Sequence, residues 1–131
     1  ILGNHDGFHV RNTNAYDFAS VCIGSISANL FLTLANGMPA IISHTPRKAY
    51  IEQGVELKGV AANSLDKALL KYAPDVPGGI VHLYGHTHGK SPDEFHDGTS
   101  VNIGLDAWRL RPVSERQIIE TLTRMQTTDC A

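Results

Sequence analysis

Only two cysteines occur in 131 residues, Cys22 and Cys130. Nothing in their spacing suggests a disulfide framework, so a reducing, cytoplasmic setting is expected. Long hydrophobic runs are missing too. No stretch approaches the ~20 apolar residues that span a bilayer, and no signal-peptide pattern stands at the front, so no membrane association is expected. Charge of one sign is also scarce: 11 Lys and Arg stand against 13 Asp and Glu, a formal net charge of -2. A protein that grips nucleic acid through its phosphates carries a basic stripe. None is present, which excludes strong non-specific nucleic-acid binding but not chemistry on a phosphodiester. An initiating methionine is missing as well. The chain opens on Ile1-Leu2-Gly3-Asn4 with no lead-in, which reads as a cut, processed or partial sequence.

What is there suits one packed domain over residues 1–131. Apolar residues make up 42%, enough for a core at this length. Residues 1–3 read as a strand end and residues 3–7 as a polar loop. A loose helix is possible over 14–20, and a buried strand is expected over 21–26. Two apolar runs, 29–35 and 38–43, flank Asn36-Gly37, a dipeptide suited to a type I′ hairpin turn. Pro39 falls at the start of the second run, where a missing N–H is tolerated. Residues 45–59 read as a loop with a helical turn. A helix capped by Asn63 or Ser64 ends before Pro74. After the breaker Pro77-Gly78-Gly79, a strand over 80–84 enters Gly85-His86-Thr87-His88-Gly89. Residues 90–98 read as a polar hairpin region before a strand over 99–104. A final helix is opened by the capping-box pair Ser114 and Gln117, with Ile118, Ile119, Leu122 and Met125 on one face.

Seven histidines are present, and their placement matters more than their number. His5, His44 and the pair His86/His88 each follow a strand, and ligands gather at strand exits in sheets of this kind. Neutral imidazole is a common ligand for transition metals. Residues i and i+2 of an extended stretch share a face, so His86 and His88 are expected to aim at one cavity, with Gly85 and Gly89 allowing a sharp turn.

Gly3-Asn4-His5-Asp6, Ser43-His44 and Gly85-His86-Thr87-His88 resemble, in order, the third, fourth and fifth motifs of the calcineurin-like metallophosphoesterases. Asn102-Ile103-Gly104-Leu105-Asp106-Ala107-Trp108 through Arg111-Pro112-Val113-Ser114 resembles the closing segment of small microbial or phage-type members. The resemblance implies a four-layer α-β-β-α sandwich, an α/β fold, here its C-terminal portion and incomplete at the N-terminal strands. It implies a hydrolase acting on phosphate mono- or diesters through two divalent ions (Mn, Fe or Zn) and a bridging hydroxide; the near-neutral charge and compact length favour a small-molecule phosphoester. Asn4, His44 and His86 would hold the second metal, and His88 the first. His5 would stabilise the phosphoryl oxygens and protonate the leaving alkoxide. Asp6 would shape its loop.

The chain departs from the family in having no Asp-x-His or Gly-Asp motif, the source of the family's carboxylate ligands. What remains is an amide and three imidazoles, all neutral. Two divalent ions ~3.5–4 Å apart repel by roughly 17–19 kcal/mol at an effective dielectric of about 20. At most one ion is therefore expected on this chain alone, and an unpaired strand edge at Ile1-Leu2 would invite pairing with the missing portion or another chain.

Other residues carry plainer readings. His82 is either a partner behind the metal loop or a hydrogen-bonded core histidine. Arg109 either grips a phosphate at the substrate mouth or is simply exposed, and Trp108 either borders that mouth or anchors the core. His9 and His96 read as surface residues, Ser64 and Ser114 as caps. Two further functions remain open: a catalytically degenerate binding module of the same fold, and a domain built around one structural zinc. The second ranks last, because closed zinc sites favour cysteine and neither cysteine lies near a histidine motif.

Overall fold

A computed structural model of the chain describes residues 29–52 and 73–128. The expected elements over 1–28 and 53–72, the strand edge at Ile1-Leu2, and both cysteines lie outside the described residues. Within them the fold is mixed α/β. Strand β1 (Asn29–Thr33) and strand β2 (Pro39–Ser43) precede a short helix α1 (Lys48–Glu52). Strands β3 (Val81–Tyr84) and β4 (Ser100–Asn102) follow, then a 3-10 turn over Leu105–Trp108 and helix α2 (Glu115–Thr128). The sheet order is β1-β2-β3-β4. β1 and β2 pair antiparallel, with Leu30 opposite Ile42, whereas β2, β3 and β4 are mutually parallel.

The hairpin forms where expected but with a different turn. A type I′ turn needs positive φ at both central residues. Gly37 has φ 85° while Asn36 stays outside the left-handed region. Leu34 accepts from Gly37 N–H and donates to Met38, each at 2.8 Å. The result is a three-residue loop, Ala35-Asn36-Gly37, closed by a left-handed glycine. Asn36 spends its side chain on Met38 N–H instead, the local bond that asparagine offers in turns.

Residues 90–98 form no hairpin. β3 and β4 are parallel, so the chain must return to the start of the sheet, and residues 85–99 make that crossover without a helix. Asp97 pins its end. Its carboxylate accepts from the Thr99 and Ser100 N–H groups at 2.9 and 2.7 Å and from Ser100 Oγ at 2.6 Å. An Asp-Gly turn signal is thus used to start a parallel strand.

Register sorts the two faces of the sheet. Ala40 sits beside Val81, Ile42 beside Leu83, and Leu83 beside Val101. This apolar face meets Ile118, Leu122 and Met125 of α2 in one core cluster. Burial of each such side chain contributes roughly 1.5–3 kcal/mol relative to exposure. Ser114 and Gln117 form the expected capping box. Gln117 N–H donates to Ser114 Oγ at 3.2 Å, and Ser114 N–H donates to Gln117 Oε1 at 2.9 Å. Glu115 reaches back to Ala35 N–H at 2.7 Å, tying the helix to the hairpin.

The opposite face is buried and largely polar: beside Ile41, the residues Ser43, His82, Tyr84, Ser100 and Asn102 all lie inside. Arg47, Tyr50 and the 85–99 crossover supply its partners. Sheets with parallel strands are usually apolar on both faces, so this polar layer is the feature of the fold that asks for an explanation.

Candidate metal centre

Because β2, β3 and β4 run parallel, their carboxyl ends share one edge of the sheet. His44 follows β2 directly, Gly85 to Gly89 follow β3, and Asp106 lies four residues beyond β4. Gly85 N–H donates to the His44 carbonyl at 3.0 Å, which extends the β2–β3 ladder one step beyond the strands. His44 Nε2 and His86 Nδ1 then lie 3.1 Å apart, with the rings edge to face and their centroids 5.0 Å apart.

His88 goes elsewhere. Its side chain is 80% exposed, and Nδ1 lies 3.1 Å from Asp106 Oδ2. The expectation that His86 and His88 share a face fails because neither is extended. His86 has φ 67° and His88 φ 53°, and the twofold alternation of a strand does not survive two left-handed residues. Nor do Gly85 and Gly89 make the turn, since neither has positive φ; the histidines themselves do. Histidine enters this region more readily than most side chains, but such residues cluster at functional sites, where surrounding bonds hold them.

Those bonds come from the buried polar layer. Thr87, between the two histidines, donates to Glu94 and accepts from Asn102 Nδ2 at 3.2 Å. Tyr84 OH donates to Glu94 Oε2 at 2.6 Å. Burial, reinforced by this carboxylate, raises the Tyr84 hydroxyl far above its ordinary pKa, so it stays a donor. A Cβ on Gly89 would overlap the Glu94 carboxylate and push it from its bonds to Thr87 and Tyr84; the glycine serves close approach and not a positive φ. Asn102 also accepts from Gly104 N–H at 2.8 Å, and its carbonyl accepts from Trp108 Nε1 at 2.7 Å. One asparagine therefore links the His86–His88 loop to the turn that carries Asp106.

His82 is a hydrogen-bonded core histidine. Ser43 Oγ donates to the Thr45 carbonyl at 2.7 Å, so the 2.7 Å contact with His82 Nε2 is donated by the imidazole. His82 Nδ1 then faces the interior as an acceptor with no partner among the described residues. Burial, helped by the nearby Arg47 charge, pushes the His82 pKa down to about 3. The unfolded chain gains a proton here below pH ~6.5 while the folded chain does not. Folding stability is therefore expected to fall by roughly 1.4 kcal/mol per pH unit as pH drops below that value. Denaturant midpoints at pH 7 and 5 for the wild type and His82→Gln check this; an equal loss in both proteins would refute it.

The structure thus brings His44 and His86 together and sets His88 with Asp106. Asn4, His5, Asp6 and His9 lie outside the described residues. Among the described residues, no group of three or more His, Cys, Asp or Glu side chains gathers to hold a metal ion. His96 is exposed and pairs with Asp93 at 3.2 Å, as a surface histidine would. Trp108 packs against the core cluster while also lining a cleft with the exposed Arg109. Sequence reasoning missed Asp106, Glu94 and Asp97. Asp97-Gly98 carried a turn signal that could have found the last; the other two become partners only through the parallel crossover. No helix among the described residues is long and apolar enough to cross a membrane. No family model, curated protein or solved structure matches this chain, so the likeness to metallophosphoesterases rests on its motif residues.

Proposed function

We propose that this chain supplies the histidine-bearing part of a calcineurin-like phosphoesterase site, its sheet being one of the two in a four-layer α-β-β-α sandwich. One observation carries the reading: at the exits of neighbouring parallel strands, His44 Nε2 and His86 Nδ1 form a hydrogen-bonded pair 3.1 Å apart, in which an ion would take the place of the shared proton. Two nitrogens sharing one ion at ~2.0–2.1 Å each stand roughly 2.9–3.4 Å apart for angles near 90–110°. The pair fits that bite. His44 and His86 would hold one ion, with Asn4 as a further oxygen ligand on the strength of the motif resemblance. His88 would serve the other ion. Its Nδ1 bond to Asp106 leaves Nε2 for the metal, the carboxylate–histidine arrangement common behind metal ligands.

Bound divalent ions (Mn, Fe or Zn) would supply an activated water and offset charge on the phosphoryl oxygens. The chain's own residues orient and protect. Asp106 fixes the tautomer of His88, and Thr87 and Asn102 hold the loop in its left-handed turns. His5 is assigned the proton that goes to the leaving alkoxide. Substrates are small-molecule phosphate esters.

The 131 residues carry no Asp-x-His or Gly-Asp motif, and a neutral ligand set does not offset the repulsion between two ions. The purified chain with Mn²⁺ is therefore expected to release no p-nitrophenol from p-nitrophenyl phosphate. Robust turnover would overturn the carboxylate argument. Turnover appearing when a segment bearing those motifs is co-expressed supports the enzyme. Its absence even then, with an ion still bound, selects a degenerate binding module of the same fold.

A further inference from the structure

The 3-10 turn that carries Asp106 continues into a second concavity. An open cleft of about 670 Å³ is lined by Pro92, Trp108, Arg109, Arg111, Pro112 and Gln117, a volume typical of small-ligand sites. Its described walls hold two cations and no carboxylate. Both guanidinium groups are exposed and form no ion pair among the described residues.

The backbone is committed to this arrangement. Arg109 (φ 55°) and Leu110 (φ 60°) are consecutive left-handed residues, each costing roughly 1–2 kcal/mol. They are held by Leu110 N–H to the Leu105 carbonyl at 2.9 Å and Arg111 N–H to the Trp108 carbonyl at 3.1 Å. This double turn sets Arg109 and Arg111 on the same cleft. Trp108 is a fixed wall, anchored through its indole N–H to Asn102. Gln117 uses Oε1 on Ser114, which leaves its amide NH₂ as a third donor. Two forked cations and an amide donor, with no acid among the described lining residues, match the oxygens of a phosphate group.

We propose that this cleft binds a phosphate group separately from the histidine loops. Within the phosphoesterase reading, on which this step alone depends, it holds a second phosphate of the substrate, so the substrate class is small organic molecules bearing two phosphates. Trp108 is the single tryptophan of the chain, and its fluorescence reports on the cleft directly. Inorganic pyrophosphate is titrated into the full chain in metal-stripped buffer, against sodium chloride at matched ionic strength. A saturable emission change is expected with pyrophosphate alone. The double variant Arg109→Ala/Arg111→Ala should raise the midpoint at least ~10-fold with an unchanged melting temperature, since both side chains are exposed. His86→Asn should leave the midpoint where it was. No saturable change at millimolar pyrophosphate, an unmoved midpoint in the double variant, or an equal shift with His86→Asn would each overturn the proposal. Divalent-ion binding is measured separately through His44 and His86. Failure there with pyrophosphate binding intact sinks the phosphoesterase reading alone, and the converse sinks only the cleft.

Discussion

Replacing Asp97 with alanine is expected to lower stability by about 3 kcal/mol or more, a fall of ~10 °C in Tm for a domain of this size. The carboxylate is half-buried and has more partners than any other described side chain. It accepts from the Thr99 and Ser100 backbone, the Ser100 hydroxyl and Tyr50 OH, and it faces Arg47 at 3.7 Å. Removing it leaves several buried donors unsatisfied and takes the counter-charge from Arg47. Burial alone would raise the Asp97 pKa, but the hydrogen bonds from Ser100, Tyr50 and the backbone outweigh it and hold the group below its usual value. Such a group stabilises the fold above pH ~4, and that contribution is lost as pH falls through the depressed native pKa. Thermal melts from pH 7 to 3 should show both the drop in Tm and a shallower acid limb in Asp97→Ala. A variant melting within a degree or two of wild type would mean that the crossover is held by something else. The same network raises the Tyr50 pKa to about 12, chiefly by burial and then through Asp97, so alkaline titration should find that tyrosine late in the wild type and earlier in the variant.

The second large effect concerns the proposed ion. His86→Asn should weaken divalent-metal binding by at least ~100-fold, since even loss of a residue behind a ligand costs about 10–100-fold. Asparagine is chosen because it tolerates positive φ, so the imidazole is removed without straining a backbone that sits at φ 67°. Calorimetric titration with Mn²⁺ or Zn²⁺ reads the result. No more than one ion per wild-type chain is expected, with unchanged binding in His96→Ala, whose ring is exposed and, among the described residues, bonded to Asp93. Equal affinity in His86→Asn and wild type would remove the metal reading of the His44–His86 pair.

The parts of the fold that could be read from residues are those governed by local rules. The capping box at Ser114 and Gln117, the apolar stripe of α2 and the hairpin position at Asn36-Gly37 each depend on neighbours a few positions away. The turn type did not follow, because Asn-Gly serves equally in a two-residue loop and as the end of a three-residue one; the pairing of Leu34 with Met38 decides. The polar stretch 90–98 carries the same ambiguity. Turn residues mark a change of direction but not whether the next strand returns antiparallel or crosses over. Of the candidate site, the histidines at the strand exits were legible, whereas their separate pairings were not. His86 meets a residue 42 positions away, and His88 meets an aspartate with no local signature.

The amino-acid order by itself determined a mixed α/β chain and the residues that could carry imidazole to strand exits. Tertiary structure alone decided that β2, β3 and β4 run parallel, which gathers their exits on one edge. It decided too that left-handed backbone at His86 and His88 turns the two rings toward different partners. The reason is that strand direction and positive φ are fixed by long-range hydrogen bonds, here through Asp97, Glu94 and Asn102, whose energies no local pattern encodes.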